Sequence, residues 1–109
     1  AMVHFRTALE RERRTRGERS TMSAWIEGTM VAGGADNDRR DIVDAHEPNL
    51  WRLHPDGPPV EGEAIPSIVR GLHRWGETAR RDRWLAQMRR HDPTGIKADS
   101  LERELGITR

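Results

Sequence analysis

Any chemistry in this chain must come from five histidines, eighteen carboxylates, four serines and eighteen arginines. There is no cysteine or tyrosine, and lysine occurs once, as Lys97. The tightest histidine set is Asp44, His46, Glu47 and His54. Two imidazoles and a carboxylate can hold zinc or iron. This spacing follows no metal-ligand pattern, so surface or hydrogen-bonded histidines are expected, and no metal and no cofactor is assigned. His73 and Glu77 stand four residues apart and can form an acid–base pair on a helix. At that spacing a surface hydrogen bond is the commoner outcome. Ser20, Ser23, Ser67 and Ser100 lack a nucleophile elbow. Gly33-Gly34 is followed by Ala35-Asp36-Asn37-Asp38, whose anions would repel phosphate, and the P-loop lysine is missing. No catalytic residue is assigned, and the chain is expected to be non-enzymatic.

The arginines form two arms. Residues 1–20 carry six Arg against three Glu, and residues 64–92 carry seven Arg against three acids. Residues 21–63 reverse this, with nine acids against three Arg. Guanidinium forks bind phosphate oxygens and carboxylates in paired geometry. The candidate contact residues for nucleic acid or an acidic partner are Arg11, Arg13, Arg14, Arg80, Arg81, Arg83, Arg89 and Arg90. Trp75 and Trp84 lie near the second arm and can stack on bases or guanidinium planes. The competing account is that these arginines pair with the chain's own acids, among them Asp36, Asp38, Asp41, Asp44, Glu47, Glu61 and Glu63. A net charge of +1 favours that account. The preference for Arg over Lys also has a plain origin in GC-rich codons, which points to a bacterial or phage source. Codon usage leaves the clustering of charge unexplained.

At 109 residues one domain is expected, spanning 1–109. Leu, Ile, Val and Phe together make up less than a fifth of the chain. Such a composition is near that of disordered proteins, but disorder also asks for high net charge. Four Trp and four Met add apolar volume, so a folded domain with a thin core is expected. Thin cores are often completed by a second copy, which makes a homo-oligomer an expectation. No apolar stretch approaches spanning length and no signal peptide is visible, which points to the cytoplasm and away from membranes. Ala1 before Met2 resembles a cloning remnant.

The elements that would position these residues read as mainly α: a small helical domain of three to five helices with a long Pro-rich, acidic wrapping segment. Residues 3–16 form a first helix, with Phe5, Ala8 and Leu9 on one face and Gly17 as its stop. Ser20 or Thr21 caps a second, carrying Met22, Trp25, Ile26 and Met30, with a strand over 25–31 as its rival. Gly33-Gly34 breaks the chain. Residues 33–64 form the wrapping loop, where Pro48, Pro55, Pro58 and Pro59 oppose a long element and Trp51 pins the segment. Residues 65–91 are helical. Their apolar face runs through Ile65, Ile68, Leu72, Trp75 and Ala79, then reverses to Trp84, Leu85 and Met88. Either the helix breaks near Gly76, or a different element or a second subunit covers the later half. Trp84, Leu85 and Met88 are therefore the candidate protein interface. Asp92-Pro93-Thr94-Gly95 is a turn, and Asp99 or Ser100 caps a last helix. Residues 100–108 resemble the first helix and turn of a helix-turn-helix. Glu102 stands where that motif wants a small residue, so a helix docking Leu101, Leu105 and Ile107 on the core is expected instead.

These readings converge on a regulatory or accessory protein that contacts nucleic acid, or a nucleic-acid enzyme, through arginine-rich helices. The alternative is an adaptor or assembly subunit anchored by Trp25, Trp51, Trp75 and Trp84. An enzyme with a histidine–carboxylate site ranks third.

Overall fold

The computed structural model describes residues 2–108. They form six helices: α1 Met2–Arg16, α2 Thr21–Asp36, α3 Arg40–Leu53, α4 Ile65–Arg74, α5 Thr78–His91 and α6 Ile96–Leu105. There is no strand among the described residues. The α2 helix lies at the centre, against α1, α3 and α4; α5 runs beside α4, and α6 closes on both.

Local chemistry accounts for most of the boundaries. Ser20 caps α2 by accepting the Ser23 N–H on its hydroxyl at 3.0 Å, and the Ser23 hydroxyl donates to the Gly17 carbonyl. The reversal of the apolar face is resolved as a break. Helix α4 ends at Gly76, whose φ of +74° favours glycine. There the Gly76 N–H donates to the His73 carbonyl and the Glu77 N–H to the Leu72 carbonyl. Gly106 ends α6 by the same double closure, donating to Arg103 while Ile107 donates to Glu102.

Six helices exceed the expected three to five, and the expected wrapping segment is largely helical. Gly33-Gly34 lies inside α2 and does not break it. The absence of a side chain at Gly34 lets the chain double back: an added Cβ would stand 3.1 Å from Ile42 and 3.3 Å from the Arg39 carbonyl. Helix α3 then forms despite Pro48, which removes one backbone donor. Burial of Ile42, Val43, Glu47, Leu50, Trp51 and Leu53 along one side outweighs that loss. Trp51 thus holds a helix rather than a loop. Residues 37–39 and 54–64 of the segment lie outside helices, and Asp56 and Pro58 tie the second stretch to α5 by accepting from Arg90 and Gln87. The last helix begins at Ile96, ahead of the expected caps Asp99 and Ser100, because the Asp92–Thr94 turn starts it.

The main core joins Val31, Val43, Leu50, Trp51, Ile65, Ile68, Val69, Leu72, Trp84 and Leu85, with Leu101 from α6. Leu105 and Ile107 dock on it as expected. A smaller cluster of Leu9, Ile26 and Met30, flanked by Phe5 and Ala8, fastens α1 to α2. Trp84, Leu85 and Met88 are 0 %, 1 % and 7 % exposed within the single chain. Their expected role as a protein interface is therefore corrected. Helix α3 covers Trp84 through Trp51, whose ring lies 4.9 Å from that of Trp84. No helix among the described residues is long and apolar enough to cross a membrane.

Close approach at glycine gives a test of this packing. A Cβ at Gly28 would stand 2.3 Å from a Val60 methyl carbon and 2.8 Å from the Val60 Cβ. Gly28→Ala gains about 1 kcal/mol of helix propensity but forces the loop off α2, at about 1–3 kcal/mol for overpacking. Chemical denaturation should show net destabilisation, and adding Val60→Ala should recover part of it. A Gly28→Ala single variant more stable than wild type would mean that residues 54–64 are not seated on α2.

Candidate functional site: the groove between α3 and α5

Helices α3 and α5 face each other without touching backbones: no Cα of one comes within 8 Å of the other. Long side chains span the gap. Glu47, Leu50 and Trp51 project from α3 at spacings of three and four, and Arg80, Arg83 and Trp84 project from α5 in the same way. Glu47 is 2 % exposed and accepts from Arg80 Nε at 2.7 Å and from the Trp84 indole N–H at 3.1 Å. Arg80 also reaches Asp44 through Nη1 at 2.9 Å. Burial alone would lower the Arg80 pKa, but the hydrogen bonds it donates to Asp44 and Glu47 outweigh this and hold it above its ordinary value. The Arg83 guanidinium lies over the Trp51 ring, 4.0 Å from its centroid. Above these contacts a groove of about 370 Å³ is lined by Glu47, Pro48, Trp51, Arg52, Arg80 and Arg83.

The arginine arms divide into structural and uncommitted members. In the first arm, Arg13 reaches across to buried Glu27 at 3.0 Å. Arg11 and Arg14 are exposed on α1 and have no ion-pair partner among the described residues. In the second arm, Arg80 is paired as above. Arg81 bonds Asp82 and the His73 ring. Arg89 bridges Asp99 and Glu102 at 2.9 and 2.8 Å. Arg90 donates to the Asp56 carbonyl and to Gln87. Arg83 has no carboxylate partner among the described residues; its contact is the Trp51 ring. Internal pairing is thus what the structure shows for Arg13, Arg80, Arg81 and Arg89.

The histidine sets do not converge. Asp44 and Glu47 serve Arg80, His46 faces Glu27, and the buried Nε2 of His54 has no partner among the described residues. Among the described residues no three His, Asp or Glu groups are placed to share a metal. His73 and Glu77 are not paired either: Glu77 bonds Arg40, and the His73 ring accepts from Arg81.

Two features escaped sequence reading. One is Arg52, which donates to the Asn49 side-chain oxygen and lines the groove. Treating residues 40–53 as a helix would have placed Pro48 and Arg52 together one turn apart. The other is Glu27, 2 % exposed, which accepts from Arg13 and Asn49 and pairs with His46 Nδ1 at 2.8 Å. Its signal was present: before Asp36, Glu27 is the one charge in α2. Burial pushes the Glu27 carboxyl up; hydrogen bonds with His46 and Asn49 and the Arg13 charge outweigh it and hold the pKa below the ordinary 4.5. A histidine oriented by a buried carboxylate has the form of a general base. Among the described residues no hydroxyl bonds to His46, and the carboxylate is shared with two other donors.

No family model, curated protein or solved structure matches this chain.

The Glu27 cluster yields a prediction with a defined sign. A carboxylate whose pKa is depressed by folding stabilises fully above its unfolded value and loses that contribution as pH falls through the folded value. Wild-type stability should therefore fall on acidification below about pH 5. Glu27→Gln should lose about 3 kcal/mol at neutral pH, as for a broken buried ion pair. Its stability should also depend less on pH over that acid range. Equal slopes for variant and wild type in pH-dependent melting would show that Glu27 is not the group responsible.

Proposed function

We propose that this protein is a non-enzymatic accessory module that contacts nucleic acid through the arginines its fold leaves without carboxylates. The observation that carries this reading is Arg83, seated over the Trp51 ring at 4.0 Å in the lining of a groove that also holds Arg52. Exposed Arg11 and Arg14 on α1 add a second place of contact. Guanidinium groups without internal partners are the ones that can release counterions from a phosphate backbone. Arg13, Arg80, Arg81 and Arg89 belong to the fold and not to this surface. The planar group on an aromatic ring suits both phosphate and base recognition.

A protein-adaptor reading rests on other residues. Met22 and Trp25, one turn apart on α2, are 46 % and 41 % exposed, and Ile96 on α6 is 67 % exposed. Of the four tryptophans only Trp25 is available to anchor a partner in this way, since Trp51 and Trp84 are buried and Trp75 is half-buried between Arg40 and Arg74.

Charge reversal separates the structural arginines from the contact arginines. Arg11→Glu, Arg14→Glu and Arg83→Glu combined should abolish binding to labelled nucleic acid at about 50 mM salt. Each exposed site should change stability by no more than about 1 kcal/mol. Arg80→Glu should instead destabilise the fold by about 3–5 kcal/mol, because it leaves Glu47 buried and unpaired. Wild-type affinity should fall with salt at a log–log slope of about −3, for three phosphates neutralised on duplex. Absence of binding to duplex, single-stranded DNA and RNA at low salt would refute the reading and favour the adaptor surface at Met22 and Trp25.

A further inference from the structure

The groove is more specific than a patch of positive charge. Two donors on its lining residues, the Trp51 indole N–H and Arg80 Nη2, are buried with no acceptor among the described residues. Trp51 is 5 % exposed, so its donor is withdrawn from bulk water. Buried donors left unpaired cost about 1–3 kcal/mol each; the groups open to a ligand are the exposed ones beside them. Beside them Arg83 is exposed and free of carboxylates, and Arg52 is held only by the neutral Asn49 amide. Three guanidinium groups face one carboxylate in the lining, and that carboxylate, Glu47, is already engaged by Arg80 and Trp84.

Shape narrows the ligand further. The Trp51 face is covered by Arg83, so a base cannot stack on the indole itself. What lies open is the exposed side of the Arg83 guanidinium, seated over the ring at 4.0 Å. Guanidinium planes stack on unpaired bases, and stacking of this kind needs the base out of its duplex. A volume of about 370 Å³ lies at the small end of ligand-pocket sizes, on the scale of one small ligand unit.

We propose that the α3–α5 groove is a single-nucleotide site for single-stranded nucleic acid. An unpaired base stacks on Arg83, and the adjoining phosphate takes Arg52. This rests on the nucleic-acid reading above and adds the strandedness and the place.

The test compares a labelled single-stranded oligonucleotide of about 12 residues, within the range that single-strand sites cover, with the same sequence annealed to its complement. Fluorescence anisotropy is read on wild type and on Arg83→Lys, which keeps the charge and loses the plane. Single-strand affinity should exceed duplex affinity, and Arg83→Lys should weaken single-strand binding about tenfold or more while leaving duplex binding unchanged. In parallel, a photoreactive 5-iodouracil oligonucleotide is cross-linked to wild type and the adduct is mapped by mass spectrometry. This arm depends on no variant, and the adduct should fall within residues 47–52 or 80–84. Equal binding of both forms with Arg83→Lys unaffected, or adducts confined to α1, would overturn the groove site while the wider nucleic-acid reading stands. No binding of either form would overturn both, and so would binding of an acidic or phosphorylated peptide in their place.

Discussion

The bridge between α3 and α5 is the interaction on which the rest of this structure depends. Two helices whose backbones stay apart would normally leave a void, and a chain with so few Leu, Ile, Val and Phe has little to fill it with. Two tryptophans fill it instead, with ring planes tilted at 58°. This brings a polar indole N–H into the core, and a buried indole wants an acceptor. Glu47 supplies one, and its own charge then needs compensation in a medium where an unpaired ion is costly. Arg80 compensates it and extends to Asp44 on the same helix. Each buried group requires the next, so the thin core and the internal ion pairs have one cause.

The same logic sorts the remaining arginines. A second buried carboxylate, Glu27, draws Arg13, His46 and Asn49 together and couples α1 to α2 and α3. At the other end, Arg89 joins α5 to α6 through Asp99 and Glu102, and Arg70 joins α4 to α6 through Glu104. These pairs connect elements far apart in sequence. They give register to helices whose apolar faces are narrow. The exposed pairs among them add little stability each; buried Glu27 and Glu47 are the ones whose loss would be felt. Among those left over, Arg11, Arg14, Arg52 and Arg83 are free to face a partner.

Local signals were legible where local chemistry decides. Ser20 as a cap, Gly17 and Gly106 as stops, and the break at Gly76 all follow from single residues and short hydrogen-bond patterns. The helix at residues 40–53 was not legible, because Pro48 argues against it and only its tertiary burial argues for it. Likewise, Gly33-Gly34 reads as a break until Ile42 and the Arg39 carbonyl are known to crowd against Gly34. The site followed suit. Arg83 beside Trp84 was visible in sequence, but its stacking partner is Trp51, reached across the gap from a helix that the prolines concealed. The charge blocks foretold both possibilities, self-pairing and free cations. Only the fold separates Arg80, which is committed, from Arg83, three residues later, which is not.

The near-exclusive use of arginine has a physical consequence whatever its codon origin. Arg80 serves Glu47 through Nε and Asp44 through Nη1, and Arg89 serves Asp99 and Glu102 through its two terminal nitrogens. Arg39 grips Asp41 with two parallel bonds of 3.0 Å, and Arg40 joins Asp44 to Glu77. A lysine ammonium is a point charge without this fixed fork, and could not hold two carboxylates of a neighbouring helix in a set direction. It also lacks the flat face that lets Arg83 lie on Trp51 and Arg40 and Arg74 approach Trp75. Planarity is therefore used twice, inward to lock carboxylates between helices and outward to present a surface on an aromatic base. Lysine substitution preserves charge and removes planarity, so it discriminates a protein that uses its arginines as forks and plates from one that merely tolerates them.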